Sequence, residues 1–303
     1  MRFPDKRGGN RCYRRFIIMI YWWEDKDMPA KESGGLRILY NTVPGRLVLK
    51  IMASRPVSSM CGRFLDMSVS KCLIPGFIRK NGICMEEYAE QDYSCFNEFF
   101  YRQIREGARP VSGDPSDLIA PCDGLLSAYH ITGDTVIPVK QSMYTIPELL
   151  GGDPAADAYT DGICLVFRLC VDNYHRYCYL DDGIKGGNFF IPGELHTVRP
   201  IALAALPVFV RNCREYTVME TRNFGTVTQI EVGAMLVGKI VNHMGAGTFR
   251  RGEEKGRFEY GGSTIIVLIE KDRAKLPERL FDNTRKGIET KVKMGRTIGK
   301  RVI

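Results

Sequence analysis

Apolar residues recur three and four positions apart between residues 36 and 105, a spacing that predicts amphipathic helices. A first stripe follows Pro44-Gly45 and contains Leu47, Val48, Ile51 and Met52. A second stripe ends before Pro75-Gly76 and contains Met60, Cys61, Phe64, Leu65 and Cys72. Either stripe can face the protein's own core or lie in a membrane interface, with nearby Lys and Arg reaching the lipid headgroups.

From about residue 108 the pattern changes to short runs of Val, Ile, Phe and Tyr separated by Gly, Pro and Asp, which predicts strands. The runs are DGLLSAYHI, GICLVFRLCV, TVTQIEVGAMLVGKIV and STIIVLIE, and a last strand is predicted where Thr290, Val292 and Met294 alternate with lysines. We therefore predict an α+β fold, in which N-terminal amphipathic helices precede a mainly antiparallel β domain. The predicted divisions are an extension over 1–35, a helical region over 36–107 and a β-rich domain over 108–303.

Composition indicates the cellular compartment and shows whether the N-terminal apolar run could span a membrane. With 303 residues and 44% hydrophobic content, the chain can bury a substantial core. Its ten cysteines are irregularly spaced without a C-x-x-C pair, which favours reduced thiols in a cytosol. The apolar run FIIMIYWW at 16–23 is too short to span a bilayer, and acidic WEDKD follows it without a cleavage site. We interpret 1–27 as an extension, with Met28 opening the functional protein.

Charge is concentrated at the C-terminal end. The net charge is +8, and residues 271–303 hold eleven Lys or Arg against four Asp or Glu. This asymmetry favours an anionic partner, either lipid headgroups or nucleic acid. Aromatic and basic residues do not interleave in an RNA-binding pattern, so we do not expect a nucleic-acid partner.

Candidate chemistry is limited to three short islands. Only four histidines are present, without a His-x-x-x-His pair, so we predict no metal site, and no Gly-x-x-x-x-Gly-Lys-Ser/Thr phosphate loop occurs. The islands are APCDG with Asp123, LCVDNYHRYCYLDDG with His175 and FEYGGST with Ser263. Each alone is weak, since Asp-Gly is usually a turn and a single histidine is more often structural. Together they supply an acid, a base and a hydroxyl, which can activate a serine.

Five blocks, in this order, resemble the phosphatidylserine decarboxylase family. They are FNEFFYRQIREGARP at 96–110, IAPCDG at 119–124, NYHRYCYLDDG at 173–183, VGAMLVGKI at 232–240 and RRGEEKGRFEYGGST at 250–264. The last block is the most specific, because the family's self-cleavage motif is a Gly-Ser-Thr and here Gly262, Ser263 and Thr264 follow Gly261.

The resemblance implies a self-cleaving proenzyme. Ser263 would attack the carbonyl of Gly262, and elimination and hydrolysis would leave a covalent pyruvoyl group at position 263, with chains 1–262 and 263–303. A glycine suits the attacked side because it has no Cβ and tolerates a strained backbone. His175, oriented by Asp123, would take the serine proton. Through a Schiff base, the pyruvoyl group would then convert phosphatidylserine to phosphatidylethanolamine and CO2.

One position departs from the family pattern. The lipid substrate of the family also implies a membrane surface as the partner. Some members have a second histidine where HRYC places Cys178, which would line the pocket or pack. A lipid substrate makes the helical stripes candidates for membrane contact. The resemblance thus implies a peripheral membrane protein on the cytoplasmic face of the cell membrane, acting on phosphatidylserine in an anionic surface. A homo-oligomer is left open.

Two other classes remain alternatives. A serine hydrolase could use Ser263, His175 and Asp123 without self-cleavage, but the chain has no Gly-x-Ser-x-Gly elbow. A non-catalytic lipid- or nucleic-acid-binding module is supported only by the basic C-terminal end.

Overall fold

The computed structural model describes residues 42, 44, 55–132, 136–139, 142–193, 208–233, 239–259 and 263–302, with the backbone alone at 55–58, 136–139, 142–144, 208–209 and 263. The predicted extension over 1–35 and the stripe over 47–52 lie outside these residues, as do Gly261 and Gly262.

The described helices are short and concentrate in the N-terminal part. The α-helices are α1 (Arg55–Asp66), α2 (Ile74–Asn81), α3 (Phe96–Phe100), α4 (Ile146–Leu149), α5 (Val208–Arg211) and α6 (Glu278–Arg285). Three 3-10 turns cover Ser68–Leu73, Met85–Glu87 and Pro154–Tyr159. Within the described ranges, none of the helices has the length and apolarity needed to cross a membrane.

Strands dominate the chain after residue 116. They are β1 (Asp117–Ile119), β2 (Gly124–His130), β3 (Val136–Val139), β4 (Ser142–Thr145), β5 (Ile163–Leu169), β6 (Arg176–Cys178), β7 (Gly183–Lys185), β8 (Phe189–Ile191), β9 (Arg214–Thr221), β10 (Gly225–Val232), β11 (Ile240–Asn242), β12 (Gly247–Phe249), β13 (Glu254–Phe258), β14 (Ser263–Ile269), β15 (Ala274–Lys275), β16 (Thr290–Val292) and β17 (Thr297–Arg301). This order of helices before strands confirms the predicted α+β fold.

A central antiparallel sheet organises the β domain. Its strand order is β12-β7-β9-β10-β14-β5-β2-β16, and β8 also pairs with β9. Two smaller sheets have the orders β11-β13-β6 and β1-β17-β15, and β3 pairs with β4. The predicted strand pattern is therefore antiparallel throughout the described pairings.

Strand β14 lies in the middle of the central sheet and is buried on both faces. It pairs with β10 on one side and β5 on the other, and Ile265, Ile266, Val267, Leu268 and Ile269 are all 0% exposed. Ile265 and Val267 contribute to one core cluster, and Ile266 and Leu268 to a second one. Burial on both faces explains why the sequence there is continuously apolar rather than alternating.

The helical part forms a third cluster with an apolar outer surface. Leu65, from the second predicted stripe, is buried with Tyr88, Phe99 and Phe100. The outer residues of the same segment are exposed and comprise Met60, Phe64, Met67, Val69 and Leu73. The structure thus shows which residues of the second stripe are buried and which are exposed, a distinction that sequence periodicity could not make.

Candidate active site

Asp123 and Ser263 lie where the central strands of the main sheet begin or end, on the same side of the sheet. Strand β5 ends at Leu169, and its antiparallel neighbour β14 begins at Ser263, directly opposite Leu169. On the other side of β5, strand β2 begins at Gly124, immediately after Asp123. A Cβ at Gly124 would lie only 3.0 Å from the carbonyl oxygen of Arg168, so the backbones approach closely there. The sheet therefore brings both positions to the end of β5.

His175 follows the turn that leaves this edge. After Leu169, the turn closes with a 2.9 Å hydrogen bond from the Asn173 backbone N–H to the Cys170 carbonyl. The Asn173 carbonyl then lies 2.9 Å from His175 Nδ1, so Nδ1 is the protonated nitrogen of the neutral ring. The Nε2 atom is left as an acceptor, and it has no hydrogen-bond partner among the described residues.

The surroundings of His175 keep its imidazole neutral. The ring is 0% exposed, and its centroid lies 4.0 Å from that of Phe100. Burial, reinforced by the positive charge of Arg102, lowers the His175 pKa from 6.5 to about 3. A neutral imidazole with an unused, buried basic nitrogen can accept a proton from a neighbouring hydroxyl.

Asp123 is held by Arg109 rather than by His175. Its carboxylate accepts two hydrogen bonds from Arg109, at 2.8 Å from Nε and 2.6 Å from Nη2, and one of 2.9 Å from the Met294 backbone N–H. His175 Nδ1 faces the Asn173 carbonyl instead. The orientation of His175 by Asp123 therefore differs from the expectation, because in the described residues the two side chains share no hydrogen bond. The charge of Asp123 still raises the His175 pKa slightly against the larger effect of burial.

Arg109 connects Asp123 to a wider ionic cluster. Its Nη2 lies 2.9 Å from Glu87, which also pairs with Lys293 at 2.9 Å. The Arg109 side chain is only 4% exposed, and hydrogen bonding to Asp123 raises its pKa despite the opposing effect of burial. Sequence reasoning missed this residue, although it lies in the block at 96–110, because its partner is 14 positions away.

Cys178 packs in the core. It lies in β6 opposite Glu254, is 1% exposed, and its backbone N–H donates to the Pro121 carbonyl at 2.8 Å. Burial raises the pKa of its thiol to about 12. The thiol is therefore protonated at neutral pH and is a poor nucleophile.

The chain returns to the site at the end of β13. The backbone N–H of Phe258 donates to the His175 carbonyl at 2.9 Å, and that of Glu259 donates to the Lys239 carbonyl at 2.9 Å. The next described residue is Ser263, whose backbone begins β14. The described chain thus leaves from beside His175 and resumes opposite Leu169. No group of three or more His, Cys, Asp and Glu side chains in the described part could hold a metal ion.

Comparisons with known proteins assign the chain to a family. The phosphatidylserine decarboxylase family model matches residues 96–300. The chain is 45% identical to the phosphatidylserine decarboxylase proenzyme 2 of Clostridium acetobutylicum, over 89% of this chain and 92% of that protein. It is 37% identical to the phosphatidylserine decarboxylase proenzyme of Ruminiclostridium cellulolyticum, over 93% and 97% of the two chains, and 34% identical to one from Clostridium botulinum, over 95% and 100%.

The chain belongs to the phosphatidylserine decarboxylase family and is therefore a carboxy-lyase. This membership confirms the resemblance in the five sequence blocks and decides against the serine hydrolase and the non-catalytic binding module.

Proposed function

We propose that the chain is a proenzyme that cleaves itself between Gly262 and Ser263 and then converts phosphatidylserine to phosphatidylethanolamine and CO2. The observation that carries the proposal is the meeting of Asp123, the turn leading to His175 and the start of β14 at one end of β5. The relatives' designation as proenzymes supports a processing step.

His175 is the general base of this proposal. Its free Nε2 takes the proton of the Ser263 hydroxyl as that oxygen attacks the Gly262 carbonyl, which replaces the peptide bond by an ester. Loss of the Cα proton of residue 263 and of the ester oxygen then releases chain 1–262 as a carboxylate and leaves an enamine, and water hydrolyses this enamine to a ketone at position 263 with release of ammonia. The low pKa of His175 keeps Nε2 unprotonated at neutral pH and available for this transfer.

The surroundings of position 263 fit a pyruvoyl group. Backbone pairing with Leu169 fixes the start of β14, and the unpartnered Nε2 of His175 is a buried acceptor with no structural use among the described residues. Such a group would supply an electrophilic ketone, which takes up the electron pair that stays on the substrate when CO2 departs. His175 also donates the proton that the substrate carbon requires after CO2 has left. Asp123, fixed by Arg109, contributes a negative charge near that proton.

Strand β14 retains the new chain end. Its five fully buried apolar residues each stabilise the folded state by about 1.5–3 kcal/mol. Breaking one peptide bond at its start leaves these contacts intact. The fragment 263–303 therefore remains in the central sheet with its modified end at the site.

Self-cleavage is tested with purified wild-type protein and two variants. On a denaturing gel and by intact mass, wild-type protein gives chains 1–262 and 263–303, the latter with a blocked N-terminus. Ser263→Ala gives a single chain and releases no CO2 from phosphatidylserine. The matched control Ser127→Ala, in β2 of the same sheet, splits normally. An uncut wild-type chain, or decarboxylation by Ser263→Ala, would refute the proposal.

The proposal includes peripheral attachment to the cytoplasmic face of the cell membrane. Met60, Phe64 and Met67 are 66%, 46% and 56% exposed, and Lys71 lies nearby in the chain. An apolar surface with basic neighbours suits a bilayer interface rich in anionic lipid.

Membrane attachment is tested by vesicle sedimentation. Phe64→Asp/Met67→Asp should reduce binding to phosphatidylserine-containing vesicles by about tenfold or more, because each charge must leave water to enter the interface. Val302→Asp, at a comparably exposed apolar residue near the C-terminus, should bind as wild type does. Equal binding by all three proteins would show that this surface does not contact the bilayer.

A further inference from the structure

A buried polar cluster joins the two sheets on either side of the proposed cleavage point. It consists of Tyr177, Glu231, Asn242 and Lys255, and we call it the intersheet clamp. Lys255 Nζ lies 2.8 Å from Glu231 Oε1 and 2.8 Å from Asn242 Oδ1. The Asn242 amide donates to Glu231 Oε2 at 3.3 Å, and Tyr177 OH donates to Asn242 Oδ1 at 3.3 Å.

The burial of an ion pair in the clamp is weak evidence for a gain in stability. The side chains of Glu231 and Lys255 are both 0% exposed, so both charges have lost their hydration. Well-packed apolar residues are commonly as stabilising as a buried ion pair, or more so. The ion pair constrains the geometry, because each of its hydrogen bonds forms only at one relative position of the strands that carry the two side chains.

The clamp spans the two parts of the proposed active site. Tyr177, Asn242 and Lys255 belong to the small sheet of β6, β13 and β11, and Tyr177 lies two residues after His175. Glu231 belongs to β10 of the central sheet, where it pairs directly with Ile265. Position 263 is therefore a diagonal neighbour of Glu231, at about 7–8 Å between backbone positions.

Asn242 is the centre of the clamp. Its amide nitrogen also donates to Glu215 Oε1 at 2.8 Å, on the strand next to β10. One side chain on β11 therefore contacts two strands of the central sheet, together with Tyr177 and Lys255 of its own sheet. Its hydrogen bonds resist sliding or rotation of one sheet against the other.

We propose that the intersheet clamp is a positioning element, which keeps β6, the strand that directly follows His175, in register with the start of β14. This inference rests on the proposed function. Before cleavage, β13 and β14 are joined by a short chain segment, and cleavage between Gly262 and Ser263 removes that link. The clamp then holds His175 and position 263 at a constant separation through contacts that the cut does not affect. None of its residues is a catalytic residue.

Two variants weaken the clamp without leaving a buried unpaired charge. Glu231→Gln/Lys255→Met removes both charges together, and Asn242→Leu removes the central amide at a half-buried position with similar volume. The matched control is Thr228→Val, since Thr228 is also 0% exposed and lies on β10, but its hydroxyl bonds Tyr159 in the second core cluster.

Processing and turnover are measured separately. The appearance of fragment 263–303 after cell-free synthesis gives the processing rate, and assays of the fully split enzymes give kcat and KM for phosphatidylserine. Both clamp variants should process about tenfold to hundredfold more slowly, and their split forms should lose kcat with little change in KM, since reacting groups are misplaced while the substrate site is kept. The control should match wild type in both measurements.

The other possible outcomes refute either the positioning role alone or the proposed function as well. If the clamp variants split and turn over within twofold of wild type, the positioning role is refuted while the proposed function stands. If both variants fail to show a thermal unfolding transition, the cluster is a stability element and the inference is also refuted. A wild-type chain that never splits refutes the proposed function, and the inference with it.

Discussion

Lowering the pH from 7 to 4.5 adds a proton to His175 in the unfolded chain but not in the folded protein. The unfolded pKa is 6.5, and burial followed by the charge of Arg102 lowers the folded value to about 3. Between these values the unfolded state binds more protons, so the free energy of unfolding falls as the pH decreases. The loss begins near pH 6.5 and is complete below about pH 3.

The size of this loss follows from the two pKa values. Proton linkage gives a decrease in the free energy of unfolding of about 1 kcal/mol at pH 5.5 and about 3 kcal/mol at pH 4.5. The limiting value is about 5 kcal/mol, which is comparable to the whole stability of many domains. The side chain is 0% exposed, so solvent does not screen the effect appreciably.

The assay compares two proteins by urea unfolding at pH 7, 5.5 and 4.5. The parent is Ser263→Ala, which under the proposed function leaves the chain uncut, and His175→Asn is added to it. Asparagine retains a donor for the Asn173 carbonyl but does not titrate. The parent should lose about 3 kcal/mol more than the His175→Asn variant between pH 7 and 4.5. Parallel pH profiles of the two proteins would refute the burial of a neutral His175.

Three further outcomes test the packing around the site. Arg109→Met should reduce the free energy of unfolding by about 3–5 kcal/mol in urea, because it leaves the buried carboxylate of Asp123 without its cation, whereas Glu87 keeps Lys293, and a loss below 1 kcal/mol would contradict this reasoning. Gly162→Ala should lower the thermal midpoint, since its Cβ would lie 2.2 Å from the Ile269 carbonyl oxygen, whereas Gly245→Ala has no atom within 4 Å and should not. Iodoacetamide at pH 8 should alkylate exposed Cys72 but not buried Cys178, whose raised pKa keeps the thiol protonated, and peptide mass mapping that finds native Cys178 modified would disprove its burial.

Strand positions were predictable because they depend on local pattern. The runs assigned to β2, β5 and β14 are the strands of the centre of the sheet. The continuous apolar run after Thr264 correctly indicated a strand inside a core, because burial on both faces leaves no polar alternation. The apolar stripe at 60–72 was predicted as well, but its division into Leu65 inside and Phe64 outside depends on which helices pack against it.

The partners of the site residues were not predictable in the same way. Asp123 was expected to orient His175, and the structure pairs it with Arg109 instead. Glu231 is a charged residue within an apolar strand, which was a signal for a buried role, but its partner Lys255 is 24 positions away in a segment that resembles a solvated turn. Such pairs form between side chains from separate segments of the chain, so sequence spacing carries no information about them.

The sequence by itself determined the order of helices and strands, the family and the identity of the candidate residues at 123, 175 and 263. These follow from hydrophobic periodicity and short motifs, which act over a few residues. Only the tertiary structure decided that β2, β5 and β14 begin or end at one edge, which nitrogen of His175 is free and which cation holds Asp123. The physical reason is that register, burial and hydrogen-bond direction are set by contacts between segments distant in the chain, and these exist only after the sheets have packed.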